Sequence, residues 1–508
     1  MRASLKVTAF FGLEKSSENT HRDRRNRDKI LCQGWNVIIV CKCQLIKIPV
    51  ETITEVVYPI SQGNEVTSQR SQKMARLSEK NLLEVAEQKV HDRLRHKNDR
   101  PVDDGVDATM TEQPFIVVDL FSGAGGMSYG FSRHPSFRVK AAADAEIGKP
   151  STGEGKLQCN TTYFKNLGIV PSKVNLSQLT PSQIRPALRL PPKSKVHVLL
   201  TCPPCTGFSR AIPQNHLRDD MRNNLVRKSA NFAVALDADI VVMENARELL
   251  RGNFTHHYDW FRKYLENREY NVFGRPYMLS RFGLPQIRER AIIIAAKQHL
   301  PLHTLESLWD GWGVKDEALT VRRAFASIDP SSTGVNLYPS FAGASVQNRL
   351  SAIPKDGGSW IDLLNVLGGD QLLTDAMKRI LAEKRVGSYP DVYGRMAWDK
   401  PAPTIKRECS HIGNGRYAHP EEDRLCSIRE MAILQGFPND FVFNDAAVSN
   451  MYRHIGDAVP PLVSYQLAHL CHWILTGKQP AMKDIILKGT NLTYKDIVKK
   501  SQGELHYA

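Results

Sequence analysis

The sequence predicts an α/β fold built on an open, largely parallel sheet, and three stretches carry that prediction. Phe115 to Phe121 is a continuous apolar run ending in Ser122-Gly123-Ala124-Gly125-Gly126, with a helix-like segment from Met127 to Ser132 behind it. Val198-Leu199-Leu200-Thr201 is a second such run, breaking into Cys202-Pro203-Pro204-Cys205-Thr206-Gly207. Ile240-Val241-Val242-Met243 is a third, ending in Glu244-Asn245-Ala246. Strands apolar on both faces belong in sheets covered by helices on either side. Open sheets of this kind gather their ligands at the carboxyl ends of the strands, where all three runs place their polar residues.

Composition narrows the class. A chain of 508 residues holds about two to four domains. A formal net charge of +15 points to a polyanionic partner, nucleic acid first and a membrane surface second. Nine cysteines without regular spacing fit a reducing compartment better than a disulfide scaffold. No apolar run approaches the ~20 residues that span a bilayer. The first residues lead into the charged run from Glu18 to Lys29 rather than forming a secretory signal.

Taken in order, Asn19 to Asn26 reads as a basic helix that Gly34 follows, and Trp35 to Val40 as a buried strand. Cys32, Cys41 and Cys43 lack a well-spaced fourth ligand, so core cysteines are favoured over zinc. Residues 66–98 read as one or two charged surface helices, with Met74, Leu77, Leu82, Val90 and Leu94 on the apolar side. Pro101 to Pro114 reads as a linker.

The glycine turn after Phe121 lets backbone approach a ligand at a helix start, as in any nucleotide fold. The strand Val139 to Ala143 ends at Asp144-Ala145-Glu146. An acid there suits two ribose hydroxyls, or a helix cap, or both. The loop at Cys205 admits three readings: a structural cysteine, a redox pair with Cys202, or a nucleophile on a stiff proline-braced loop. Glu244 alone would be a capping residue. Phe282-Gly283-Leu284-Pro285-Gln286-Ile287-Arg288-Glu289-Arg290 precedes a strand from Ala291 to Ala296. Residues 301–394 lose the sheet pattern and carry Gly-rich turns such as Asp356-Gly357-Gly358. Gly456-Asp457-Ala458-Val459-Pro460-Pro461 opens an apolar helix through Leu470.

Asp119-Leu120-Phe121-Ser122-Gly123-Ala124-Gly125-Gly126, Pro204-Cys205, Glu244-Asn245-Ala246, Gln286-x-Arg288-x-Arg290 and the Gly456-Asp457-x-Val459 turn come in the order found in one family. From about residue 115 to 475 the chain resembles the bacterial DNA (cytosine-5) methyltransferases. The resemblance implies a Rossmann-like, S-adenosylmethionine-dependent catalytic domain with a smaller target-recognition domain, acting on double-stranded DNA. It implies Cys205 as nucleophile, Glu244 as the acid that shares a proton with cytosine nitrogen 3, Arg290 at the target base and Arg288 in the same pocket. The implied cofactor contacts are Phe121, Gly123, Gly126, Asp144, Asn175, Pro204, Leu225, Asp457, Ala458 and Val459. No metal is expected. Thr206-Gly207-Phe208-Ser209 departs from the family's usual Gln-x-Phe-Ser, Asn175 stands where an Asp is common, and Asp457 where an Asn is common.

Residues from 19 to 50 resemble the carboxyl-terminal part of the very-short-patch mismatch endonucleases, through an Arg-Asp pair and Gly34-Trp35 before a strand. The metal-binding acid of those nucleases lies earlier and has no counterpart before residue 19, so an inert fragment is expected. The division that follows is 1–60 nuclease-like fragment, 61–114 charged helical linker, 115–300 catalytic domain, 301–394 recognition domain, 395–480 closing segment and 481–508 tail. A cytoplasmic, nucleoid-associated bacterial monomer with a separately encoded restriction endonuclease completes the expectation. An RNA cytosine-5 methyltransferase is the nearest rival. A non-catalytic DNA-binding relative and a Cys-x-x-Cys oxidoreductase explain fewer of the residues.

Overall fold

The computed structural model describes residues 37–41 and 44–48 and, from 113 to 500, all but 148–155, 206, 209–218, 342, 384–390 and 444–446. The chain divides into two units, Met1–Thr109 and Met110–Ala508. In the first, β1 (Val37–Cys41) and β2 (Gln44–Ile48) form an antiparallel hairpin closing at Cys41 and Gln44. The basic helix expected near residue 20, the helices of 66–98, most of the linker and the rest of the nuclease-like fragment lie outside the described residues.

The second unit is an α/β body. In chain order its main elements are β3 (Phe115–Leu120), α1 (Gly126–Ser132), β4 (Phe137–Ala143), α2 (Cys159–Leu167), β5 (Val198–Thr201), α3 (Asn224–Leu236) and β6 (Ile240–Ala246). There follow α4 (His256–Glu266), β7 (Tyr270–Met278), β8 (Glu289–Lys297), β9 (Trp312–Val314), α5 (Ile428–Leu434), α6 (Val448–Asp457), α7 (Pro461–Thr476) and β10 (Ile497–Lys499). Six strands form one sheet in the order β4-β3-β5-β6-β8-β7. The first four run parallel, and β8 and β7 close the edge antiparallel.

Side-chain alternation along each strand feeds two apolar layers. Val117, Val198, Leu200, Ile240 and Val242 pack with Met127 and Phe131 of α1 and with Leu462, Leu467 and Leu470 of α7. Val118, Leu120, Leu199, Val241 and Met243 pack on the other face with Val226, Ala230 and Ala233 of α3 and Phe261 and Leu265 of α4. Burying a Val or Leu side chain contributes about 1.5–3 kcal/mol, which is why these short runs hold strands of only four to seven residues.

Three differences from the sequence-based expectation have physical causes. Strand β6 continues through Glu244, Asn245 and Ala246, because antiparallel β8 pairs with it beyond the end of β5. The helix expected from Gly456 is two helices: α6 ends at Asp457, Ala458 is extended, and α7 begins with Pro461 in its first turn. A residue preceding proline is driven out of the helical region, and a proline is tolerated where no backbone donor is needed. Finally, residues 481–500 are not a loose tail. Met482, Ile485, Leu487, Leu492 and Ile497 are buried, and β10 pairs with β9. Those apolar residues supply part of the same core that β3 and α7 share.

Residues 301–394 carry short helices and a satellite core of Ile353, Trp360, Leu363, Leu373 and Met377. Among the described residues no helix is long and apolar enough to cross a membrane.

Candidate active site

The carboxyl ends of β3, β4, β5 and β6 meet along one edge of the sheet, and each contributes one polar group to it. After β3 the backbone turns through left-handed conformations at Phe121 (φ 60°), Gly123 (φ 52°) and Gly125 (φ 94°). The glycines have different tasks. A Cβ on Gly123 would meet nothing within 4 Å, so this turn borders open space. A Cβ on Gly126 would lie 2.5 Å from the Val459 carbonyl, so Gly126 permits α1 to touch the strand of chain that enters α7. Ala458 and Val459 are thereby buried beside the turn.

Asp144, at the tip of β4, accepts a hydrogen bond from the Gly123 amide at 2.9 Å and another from the Glu146 amide at 2.6 Å. The acid therefore fixes the glycine turn and its own loop together. Beneath the turn, buried Asp119 accepts from Ser128 Oγ (2.6 Å), which accepts in turn from the Tyr163 hydroxyl (2.7 Å). Burial pushes the Asp119 carboxyl up to about 7, with the Ser128 bond opposing and the Asp144 charge adding. Asp119 Oδ1 and Ser122 Oγ are buried without a partner in the protein. A buried polar atom left unpaired costs about 1–3 kcal/mol, so these two atoms are open to a further polar partner.

Cys205 follows β5 and is partly exposed. Its loop is pinned at two points: Asn245 Nδ2 donates to the Pro203 carbonyl at 3.0 Å, and the Phe208 amide donates to the Cys205 carbonyl at 3.0 Å. Arg290 lies opposite Ala246 in the β6–β8 ladder, so Glu244, two residues earlier, shares its face. The two side chains meet at 3.1 Å and both are largely buried. Burial raises the Cys205 thiol; the Arg290 charge pulls it back down, Glu244 and Asp457 push it further up, and Arg288 lowers it. Thiol, carboxylate and guanidinium thus form one electrostatic cluster.

Arg288 is 2% exposed and works differently from Arg290. Its guanidinium donates to the backbone carbonyls of Ile405 (2.9 Å) and Ala458 (3.4 Å). Burial, and next the charge of Arg290, push it down to about 9. Gln286 accepts from the Ile405 amide (2.9 Å) and donates to the Leu434 carbonyl (3.2 Å) and to Gln435 Oε1 (2.7 Å). Both side chains splice the start of β8 to later parts of the chain. Asp457 pairs with Arg407 at 2.5 Å, a neighbour that offsets the extra charge of an Asp at this position.

Leu225, at the start of α3, is buried. Pro204 stands beside Cys205 in the pinned loop. Asn175 is the outlier among the sequence-based candidates. Its Oδ1 accepts from the Ser177 amide (3.0 Å) and Ser177 Oγ (2.7 Å), a local turn rather than a contact with the glycine loop. Sequence reasoning missed the Asp119–Ser128–Tyr163 chain and the partner of Asp457. An acid inside the apolar run of β3 was a legible signal for the first. Arg407 lies fifty residues from Asp457 with no local cue.

These strand ends fall inside a longer match: residues 115–473 fit the model of the C-5 cytosine-specific DNA methylases. The chain belongs to that family, and is a DNA (cytosine-5) methyltransferase of bacterial type that uses S-adenosylmethionine. It is 30% identical over 376 residues to the type II methylase M.HgiDII of Herpetosiphon aurantiacus, covering 71% of this chain and 96% of the relative. It is 26% identical over 400 residues to the type II methyltransferase M1.BsuMI of Bacillus subtilis, covering 77% and 86%. Among solved structures it is similar to the Dnmt2 methyltransferase of S. pombe, at 17% identity and a TM-score of 0.43, covering 71% of this chain and 99% of the other.

Proposed function

We propose that Cys205 is the nucleophile of cytosine-5 methylation, Glu244 the proton donor and Arg290 the residue that orients both. The observation that carries this reading is the Glu244–Arg290 pair at 3.1 Å beside the Cys205 loop. Cytosine carbon 5 is a poor nucleophile. Thiolate addition from Cys205 to carbon 6 turns the ring into an enamine whose carbon 5 carries electron density. Glu244 shares a proton with ring nitrogen 3 and relieves the negative charge that addition creates. Arg290 favours the thiolate, as a neighbouring cation does. When bound, S-adenosylmethionine supplies an electrophilic methyl group to carbon 5. Loss of the carbon 5 proton then expels the Cys205 sulfur from carbon 6, which restores the ring and the thiolate.

The residues around the glycine turn fit that cofactor. Gly123 leaves room, Asp119 Oδ1 and Ser122 Oγ are unpartnered, and Asp144 stands at the tip of β4 where a ribose is held in open sheets of this kind. In this reading Phe121, Gly123, Gly126, Asp144, Asn175, Pro204, Leu225, Asp457, Ala458 and Val459 hold the cofactor. Arg288 acts as a positioning residue that ties Ile405 and Ala458 to the pocket.

A target base inside a duplex is out of reach of Cys205, so it must leave the stack, at a cost of a few kcal/mol. Residues 301–394 are the natural reader of sequence: Ile353, Trp360, Leu363, Leu373 and Met377 form a small core of their own, while Leu305, Leu308 and Trp309 anchor the start of the interval in the core of the sheet. The type II names of the relatives support a place in restriction-modification, as a nucleoid-associated monomer beside a separately encoded endonuclease. Transfer of labelled methyl to mixed-sequence DNA and to RNA tests the reading. Wild type labels DNA cytosine and Cys205→Ser labels nothing; label confined to RNA, or an active Cys205→Ser, overturns it.

A further inference from the structure

We propose that Asp219, His256 and His257 form a binding site for a divalent transition metal, zinc by ligand preference, at the foot of the loop that carries Cys205. His257 Nε2 lies 3.0 Å from both carboxylate oxygens of Asp219, and His256 Nε2 lies 3.2 Å from Oδ2. The three donor atoms sit within 4.8 Å of one another. They come from two separate places in the chain, the residue before Asp220 and the first turn of α4.

The spacing suits a metal. Zinc bonds nitrogen and carboxylate oxygen at about 2.0–2.2 Å in a tetrahedron, which sets ligand atoms about 3.3 Å apart. The observed separations of 3.0 and 3.2 Å need only a small expansion. Two imidazoles and a carboxylate are a ligand set that zinc and its neighbours favour over magnesium or calcium. The surroundings supply support of the kind metal ligands have. Asn223 Nδ2 donates to Asp219 Oδ1 at 2.7 Å and holds the carboxylate, and His257 is held by packing, 3% exposed, with its Nδ1 buried without a partner. Asp219 and His256 are 40% and 50% exposed, so water has access to a fourth position. The nearby cation, Arg227, lies over the Trp260 ring.

The position gives such a metal a task. Phe208, three residues beyond Cys205, packs edge-on against the His257 ring at 5.9 Å. Gly207 approaches Asn223 so closely that a Cβ would stand 2.2 Å from its Oδ1. Both flanks of residues 209–218 therefore converge on this cluster, and a metal there would tie residue 219 to α4 and steady the backbone that leads back to the thiol.

The test uses full-length protein without a histidine tag, stripped with a chelator and then dialysed against zinc or cobalt(II). The wild type should retain one equivalent of zinc and show the visible absorption of tetrahedral cobalt(II). His256→Ala and Asp219→Asn each remove a direct ligand and should weaken zinc binding by at least the roughly 10–100-fold that loss of an outer-shell partner costs, with S-adenosylmethionine binding unchanged as the control for folding. A wild type that loses all its zinc on dialysis, or two variants that bind zinc like the wild type, would overturn the proposal.

Discussion

The sheet and the segment from residue 321 to 443 are held together by different physics. In the sheet, apolar residues alternate into two layers, and the site's polar groups gather near the strand tips. In the later segment, much of the backbone is irregular and buried arginines serve as hubs. Arg395 is fully buried and donates to the carbonyls of Leu350 (2.7 Å), Ile353 (3.2 Å), His419 (3.1 Å) and Glu422 (2.8 Å). Arg429 does the same for Thr333 (3.1 Å), Pro438 (2.9 Å) and Phe441 (2.5 Å). Loops cannot satisfy their own carbonyls, so a five-donor fork takes over what a ladder does in a sheet. The comparison separates a scaffold that positions reacting groups from a surface free to vary in outline.

Breaking a hub should cost most. Arg395→Met roughly keeps the side-chain volume but leaves the Ile353 and His419 carbonyls without a donor, while those of Leu350 and Glu422 keep the Ile353 and Arg424 amides; at about 1–3 kcal/mol for each orphaned group it should destabilise the chain by about 2–6 kcal/mol. Denaturant titration measures it, and DNA binding should suffer more than cofactor binding. An equal loss of both would show that the two regions are not separate in kind. Leu200→Ala, in the middle of β5, should cost about 2–5 kcal/mol as a cavity. Here cofactor and DNA binding should fall together, since β5 carries the Cys205 loop.

The most local effect concerns the buried acid under the glycine turn. Asp119 binds its proton up to about pH 7 in the folded chain, but only to about 3.8 when unfolded. Between those values the folded state holds more protons, so this group makes stability fall as pH rises, by at most about 1.4 kcal/mol per pH unit. Asp119→Asn removes the titration. Its stability should decline less than the wild type's between pH 4 and 7, in melts without cofactor. Parallel curves would contradict the assignment.

Legibility in the sequence follows the same divide. Phe115–Leu120, Val198–Thr201 and Ile240–Met243 were readable because burial on both faces leaves an unbroken apolar run, and Gly123, Cys205 and Glu244 stand where those runs stop. Placing Asp144 and Arg290 with them rested on the motif order shared with the family. The role of Arg288 was only half legible: its place near the pocket was, its two backbone carbonyls were not. The turn that the Asn175 side chain closes on Ser177 was not legible in the sequence. Arg395 and Arg429 look like surface charges in the sequence, since nothing local announces a buried arginine. Residues 481–500 were likewise mistaken for a tail, because their apolar residues are too sparse to form a pattern before the core that receives them is known.

The central claim is that Cys205 bonds covalently to the target base while Cys202, half-buried against Met127, does not. Duplex DNA carrying 5-fluorocytosine tests it most directly, because a fluorine on carbon 5 cannot leave as a proton and the sulfur stays attached. With S-adenosylmethionine present, intact-mass analysis should find one DNA adduct per chain in the wild type and in Cys202→Ser, with none in Cys205→Ser. An adduct that survives Cys205→Ser, or that disappears with Cys202→Ser while that variant still binds cofactor and DNA, would contradict the account.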